Sequence, residues 1–442
     1  MKLPAEFEER MRGMLKDEYD DFLYSLEHEP IYRGIRINTM KKGAASVVLE
    51  KITDVQKVPW CDCGFYADKD ALSGKHPFHM SGLVYFQEPS AMSAGSAAGI
   101  EKGYFVLDLC AAPGGKATHA AQMLGGSGLL VANEIIPKRA KILAENIQRM
   151  GIKNAVVTNE NPEKLAEKYP NFFDKIIVDA PCSGEGMFRK EPQAVDEWST
   201  EHTISCSIRQ KNILKSALRM LKPGGKLVYS TCTFAPCENE GMVDFVLKEY
   251  PEMHLENIPL DGMSDACADF VNSDADMSAA KRIYPHKAKG EGHFTALFKR
   301  DGEDTSPKLP MVSEKGDNLY REFEKEYLNI HLDGKFIKFG DRVYLLPYDI
   351  NMDKIKIELA GLFLGVCKKG RFEPSHALCL ALKAEDFKNT LETDEWEKYY
   401  HGETLFCENS GWTAVLYKGY PIGWGKASGG ILKNHFPKYL RF

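Results

Sequence analysis

The chain has 442 residues, 43% of them hydrophobic and 27% charged, the balance of a globular protein rather than a fibrous or disordered one. That length exceeds one ordinary core and divides into domains of roughly 100–200 residues each. A formal net charge of −6 argues against a protein built around nucleic acid over its whole surface, and leaves room only for local basic patches.

The N-terminus, "MKLPAEFEERMRGMLKDEYDDF", carries acids where a signal peptide keeps an apolar core, and no later run approaches the roughly 18 apolar residues of a membrane span. A cytoplasmic protein without membrane association is expected. Residues 1–95 read as a small α+β segment, with an acidic helical start and "IYRGIRINTMK" as a strand. Within it Cys61 and Cys63 form the one CxC pair among eleven cysteines. With no CxxC and no second ligand pair nearby in sequence, a loop is preferred to a metal site, and no metal is expected.

From residue 104 four strand-plus-helix units follow one another. "YFVLDL" is an apolar run of strand length, and "CAAPGGKATHAAQML" then opens a helix. "GLLVANE" precedes "KRAKILAENIQRMG", in which Leu143, Ile147 and Met150 recur at helical spacing before Gly151. After "AVVTN" come "KIIVDAP", a long helix ending "LKSALRMLKPGG", and "KLVYSTC". The alternation specifies an α/β fold, a Rossmann-like, mostly parallel sheet with helices on both faces, over residues 96–300. "DGEDTSPKLP" (301–310) has linker composition. Beyond it, "KFIKFGDRVYLLP" and "TAVLYKGYPIGWGKASGGILKN" predict β-rich C-terminal modules, taken as 301–370 and 371–442.

Charge is uneven along the chain. Residues 252–278 hold seven acids and no Lys or Arg, whereas 281–300 hold six Lys or Arg against one Glu. From Lys418 to the end there are five cations (Lys418, Lys426, Lys433, Lys438, Arg441) and no acid. They are interleaved with Tyr420, Trp424, Phe436 and Tyr439, a pattern expected of a surface that meets RNA.

"DLCAAPGGK" (108–116) stands where the first strand meets its helix, the place at which open α/β sheets bind nucleotides. It is not a dinucleotide fingerprint, since Pro113, Gly114 and Gly115 are contiguous. Nor is it a phosphate-binding loop, since Cys110 occupies the first glycine position and Ala117 follows Lys116. An adenosine ligand without a long phosphate chain fits better. Glu134 ends the second strand 19 residues after Gly115, at the spacing of an acid that accepts ribose hydroxyls; the alternative is a helix-start carboxylate. In a sheet ordered 3-2-1-4-5, Asp179-Ala180-Pro181-Cys182 and Cys232 lie just past the ends of neighbouring strands four and five. Both thiols then reach one pocket. A disulfide is the structural alternative, and a reducing compartment argues against it.

"CAAPGGK" (110–116), "DAPCSGEG" (179–186), "STCT" (230–233) and "PHKAKGEGHF" (285–294), with "RIN" (36–38) and "QEPSAM" (87–92), together resemble the RNA 5-methylcytosine methyltransferases of the Sun family. "GWGK" and "HFPKYLR" in the tail look like the C-terminal extension of the bacterial small-subunit rRNA branch, which ends in a PUA-like module. The resemblance implies that S-adenosylmethionine is held by Cys110, Ala111, Ala112, Pro113, Gly114, Gly115 and Lys116, its ribose by Glu134 and its amino-acid end near Asp179. Where the family places an adenine-reading Asp, this chain has "TNENPE"; Asn161 aligns there, with Asn159 and Glu160 as alternatives.

Carbon 5 of cytosine needs a thiolate on carbon 6 before it can attack a methyl donor. The resemblance makes Cys232 that nucleophile and gives Cys182 a part in product release, whereas DNA cytosine methyltransferases use the Pro-Cys thiol. Asp179 either handles a proton beside the base or orients the cofactor. Lys116, Arg189, Lys190 and His293 are candidate RNA or site contacts, and Cys110 and Cys237 are given no chemistry of their own. The expected partner is ribosomal RNA or the small ribosomal subunit, met by a monomer. A non-catalytic RNA-binding assembly factor and the same chemistry on tRNA are the rival readings.

Overall fold

The computed structural model describes residues 3–52, 55–67, 72–303 and 309–442; part of the expected 301–310 linker therefore lies outside the described residues. The central sheet consists of β1 (Phe105–Asp108), β2 (Leu129–Asn133), β3 (Ala155–Thr158), β4 (Phe173–Asp179) and β5 (Leu221–Thr231), all parallel, in the order β3-β2-β1-β4-β5. Every residue of β1, β2 and β3 is buried. Parallel strands covered on both faces require such unbroken apolar runs.

Helices α1 (Gly115–Leu124), α2 (Pro137–Arg149) and α3 (Thr200–Met220) follow β1, β2 and β4. α2 starts on Pro137, whose fixed φ suits a first helical position. It turns the stripe Ala140, Leu143, Ala144 and Ile147 onto the sheet. Two strands that the alternation did not predict flank the parallel set. β6 (His293–Arg300) runs antiparallel to β5, and β7 (Ile357–Ala360), supplied by the C-terminal region, runs antiparallel to β3.

The N-terminal segment holds two helices, Ala5–Leu15 and Tyr19–His28. It also holds an antiparallel sheet in the order Gln56–Lys57, Gly64–Ala67, Arg33–Ile37, Val84–Gln87. Phe7, Phe22 and Leu26 of the helices pack with Phe188, Trp198 and Phe234 of the central unit. After β6 come the helix Asn318–Tyr327 and a four-stranded sheet over Lys335–Phe339, Arg342–Leu346, Leu362–Lys368 and Arg371–Pro374. The expected boundary at 370/371 is corrected by that sheet. Leu362–Lys368 and Arg371–Pro374 are one hairpin, and its turn cannot be a domain junction.

The last module is a five-stranded sheet between Thr390 and Asn434. It shares a core with the N-terminal sheet, where Ile35, Ile37 and Phe78 meet Tyr399, Val415 and Phe436. Chain start and chain end thus close on each other. Among the described residues no helix is long and apolar enough to cross a membrane.

Candidate active site

The loop after β1 is shaped for close approach of a ligand. Gly114 has φ +117, a left-handed conformation that only glycine adopts without strain, and α1 begins at the next residue. Asn146 and Arg139 of α2 bind the carbonyls of Pro113 and Ala112 at 2.8 Å each, so the loop is held from behind. Asp108, at the end of β1, is fully buried and neither of its carboxylate oxygens has a hydrogen-bond partner among the described residues. Burial, reinforced by the charge on Asp179, pushes its carboxyl up to about 8. Glu134, 3% exposed, accepts the Ile136 amide at 2.9 Å and lies 3.3 Å from Arg139. An orphaned buried acid and a second acid on the next strand, flanking a glycine loop, fit the ammonium and ribose of an amino-acid-bearing nucleoside.

On the other side of β1, Lys116 Nζ lies 2.8 Å from Asp179 Oδ2, and Ser230 donates to Asp179 Oδ1 at 2.9 Å. Burial works against the charge of Asp179, but the Lys116 charge and the hydrogen bonds from Lys116 and Ser230 outweigh it and hold the carboxyl below its usual value. His293, buried at the start of β6, is 3.9 Å from Asp179 and is pushed down to about 4 by burial and then by Lys116. It is therefore a neutral imidazole. Cys182 Sγ and Cys232 Sγ stand 3.4 Å apart, both unbridged. The Cys182 thiol is pushed up by its hydrogen bond to Cys232, then by burial and the Glu238 charge. Lys116, by contrast, interacts favourably with an anionic Cys232.

The loops bearing these thiols are clamped to each other. Glu238 accepts from the Ser183 amide and hydroxyl and, at 2.8 Å, from Gln210 of α3; burial pushes its carboxyl up to about 7. Glu185 accepts from Arg10 at 2.6 Å, Trp198 at 2.8 Å and the Phe234 amide at 3.0 Å. Arg189 reaches Glu291 at 2.7 Å and the carbonyls of Ser25 and Glu29.

Several expectations change as a result. Arg189 is a tie between modules, not an RNA contact, while Lys190 remains near Glu291 at 3.8 Å. Asn161 caps the helix Pro162–Lys168 by accepting the Glu163 amide at 2.8 Å. Asn159 instead donates to the carbonyls of Glu134 and Ile135, and Glu160 binds Lys164 at 2.7 Å. That cap uses one of the two acceptor positions on the Asn161 side-chain oxygen.

Half of the six cations in the run 281–300 pair with acids of the protein, Arg282 with Glu240, Lys281 with Asp265 and Lys287 with Glu18. In the tail, Trp424 and Phe436 are core residues, 2% and 1% exposed, whereas Tyr439 is 76% exposed. Cys61 and Cys63, read as a loop, stand beside His119 of α1. Asp108 and Glu238 were not singled out from sequence. The one visible signal for Asp108 was its position as the acid that ends an apolar strand.

A parallel sheet in 3-2-1-4-5 order, with an antiparallel strand beyond β5 and acids closing β1 and β2 around a glycine loop, is the architecture of S-adenosylmethionine methyltransferases; two thiols past β4 and β5 equip it for covalent chemistry. The chain matches the family 16S rRNA methyltransferase RsmB/F over residues 99–299 and the N-terminal domain of 16S rRNA methyltransferase RsmF over 3–89. It also matches the RsmF rRNA methyltransferase first C-terminal domain over 322–382 and the methyltransferase RsmF PUA domain over 387–442.

It is similar to ribosomal RNA small subunit methyltransferase F of Vibrio vulnificus strain YJ016, at 31% identity over 99% of this chain and 97% of the relative. The corresponding protein of Enterobacter sp. strain 638 is 30% identical over 99% of this chain and 95% of its own. A solved methyltransferase homolog protein from Pyrococcus horikoshii is 28% identical, with a TM-score of 0.59, covering 66% of this chain and 93% of that one. NSun6 from Pyrococcus horikoshii with SFG, at 22% identity and a TM-score of 0.59 over 68% of this chain and 99% of that one, shares the fold. The chain belongs to the RsmB/F family of 16S rRNA methyltransferases.

Proposed function

We propose that the protein methylates carbon 5 of a cytosine in small-subunit ribosomal RNA through a covalent adduct between Cys232 and carbon 6, with S-adenosylmethionine as methyl donor. The observation that carries this reading is the Cys182–Cys232 pair, 3.4 Å apart past the ends of adjacent strands, with the Lys116–Asp179 ion pair beside it. S-adenosylmethionine supplies a methyl group on a sulfonium, which a neutral cytosine does not attack unaided. The cofactor is assigned to the loop Cys110 to Lys116, with Glu134 on the ribose and Asp108 facing the ammonium.

The Cys232 thiolate, favoured by Lys116 and by the Cys182 S–H, adds to carbon 6 and forms a C–S bond. The electron pair released at carbon 5 takes the methyl group. Lys116 compensates the charge that the ring gains, and Asp179, kept ionised, accepts hydrogen bonds from the base and orients it. The carbon 5 proton passes to water at the mouth of the site, where Asp179 is 33% exposed. The C–S bond then breaks and the thiolate is restored. Cys182, in contact with the departing sulfur, is assigned to this release.

The target base must leave its stack to reach thiols at the sheet edge, so an unpaired cytosine is the favoured substrate. All of these groups come from one chain, which supports a monomer, and a ribosomal substrate supports a cytoplasmic location. Labelled methyl transfer to 16S rRNA, to small subunits and to tRNA, followed by mapping of 5-methylcytosine, is the test. Transfer to a single 16S cytosine is expected. Cofactor binding without transfer to any rRNA would establish an assembly factor instead, and transfer to tRNA alone would move the substrate class.

A further inference from the structure

We propose that Cys61, Cys63 and His119 form a binding site for a thiophilic d10 ion of the zinc class, which fastens the N-terminal module to the helix that follows the cofactor loop. The three donors make a near-equilateral triangle. Cys61 Sγ to Cys63 Sγ is 3.8 Å, Cys61 Sγ to His119 Nε2 is 4.0 Å and Cys63 Sγ to His119 Nε2 is 3.8 Å. The point equidistant from all three is about 2.2 Å from each, between the ~2.3 Å of a zinc–sulfur bond and the ~2.0–2.1 Å of a zinc–nitrogen bond. Thiol and imidazole donors at 3.8–4.0 Å are too far apart for strong hydrogen bonds, whereas an ion between them satisfies all three.

The surroundings are cut to this cluster. A Cβ on Gly95 would stand 2.3 Å from His119 Nδ1, and one on Gly64 would stand 3.0 Å from Cys61 Sγ. Two glycines therefore make room for the ring and for the sulfur. Both cysteines are free, and Cys61 and His119 are 1% and 4% exposed. Two cysteine sulfurs and an imidazole are a soft donor set that selects zinc over magnesium or calcium.

The location gives the ion its role. Cys61 and Cys63 lie in the turn before Gly64–Ala67 of the N-terminal sheet, and His119 lies on α1, three residues after Lys116. An ion here joins the two by bonds rather than by packing alone, and fixes the N-terminal module relative to the cofactor loop. It is independent of the methyl-transfer chemistry.

The full-length protein is loaded with zinc sulfate, desalted and assayed by mass spectrometry of the metal; about one ion per chain is expected, falling to background in Cys61→Ser/Cys63→Ser. Loading with cobalt(II) instead needs no variant, and should give a thiolate-to-metal charge-transfer band with tetrahedral d–d bands. Chelation should lower the melting temperature of the wild-type protein and leave that of the double variant unchanged. No retained zinc and no charge-transfer band in folded wild-type protein would overturn the site, as would a mass two hydrogens short, which would make the pair a disulfide.

Discussion

The Asp108 carboxyl, held protonated up to about pH 8 by burial, must change state when a cation arrives beside it. An ammonium next to the group lowers its pKa, so at pH 7 binding of S-adenosylmethionine should release up to about one proton. The release should fade above pH 8, where Asp108 is already ionised in the free protein. Calorimetry in two buffers of different ionisation heat reads that number directly, and Asp108→Asn should release none; wild-type binding without proton release removes Asp108 from the cofactor. The two thiols make a second pair of expectations. Cys232→Ala should abolish methyl transfer and any covalent RNA adduct. Cys182→Ala should form the adduct and accumulate it as a band that survives denaturing electrophoresis. The reverse pattern would exchange their roles. Cys182, Cys232 and the glycine loop were legible in sequence because strand ends announce themselves as apolar runs that stop. The clamp at Glu238 was not, because its partners Ser183 and Gln210 come from 55 and 28 residues away and only folding makes them neighbours.

At the scale of elements, the buried parallel strands were readable because each is a continuous apolar run. β6 and β7 escaped because a strand added antiparallel to the parallel set takes its identity from a partner, not from its own pattern. The same logic separates two basic segments of similar composition. The one at 281–300 spends half of its cations on the protein's own acids. In the last module Lys426 and Lys433 are exposed and directly opposite each other on paired strands, an arrangement that destabilises a sheet unless something anionic covers it. Replacing Lys426, Lys433 and Lys438 with Gln should weaken RNA binding and flatten its dependence on salt, by up to roughly 0.9 log units per log unit for each phosphate left without its cation. Filter binding across a salt series measures the slope. An unchanged slope with a folded variant would place the RNA elsewhere.

For the whole molecule, the consequence lies in β7. The sheet that carries the site is finished on one side by a strand from the C-terminal region, so the catalytic unit and that region do not fold as separate bodies. A chain ending at residue 303 would expose the Val156–Val157 edge, an unpaired apolar template for another strand. It should aggregate or self-associate on size-exclusion chromatography, and a monomer with the parent's melting temperature would show β7 to be ornamental. The order of synthesis carries this further. β3 is complete when Thr158 is made, yet its partner begins at Ile357, about 200 residues later, which at roughly 5–20 residues per second is ~10–40 s of translation. Throughout that interval the nascent chain presents a bare hydrophobic edge, so a chaperone working at the ribosome exit has a defined client segment and a defined moment at which it must let go.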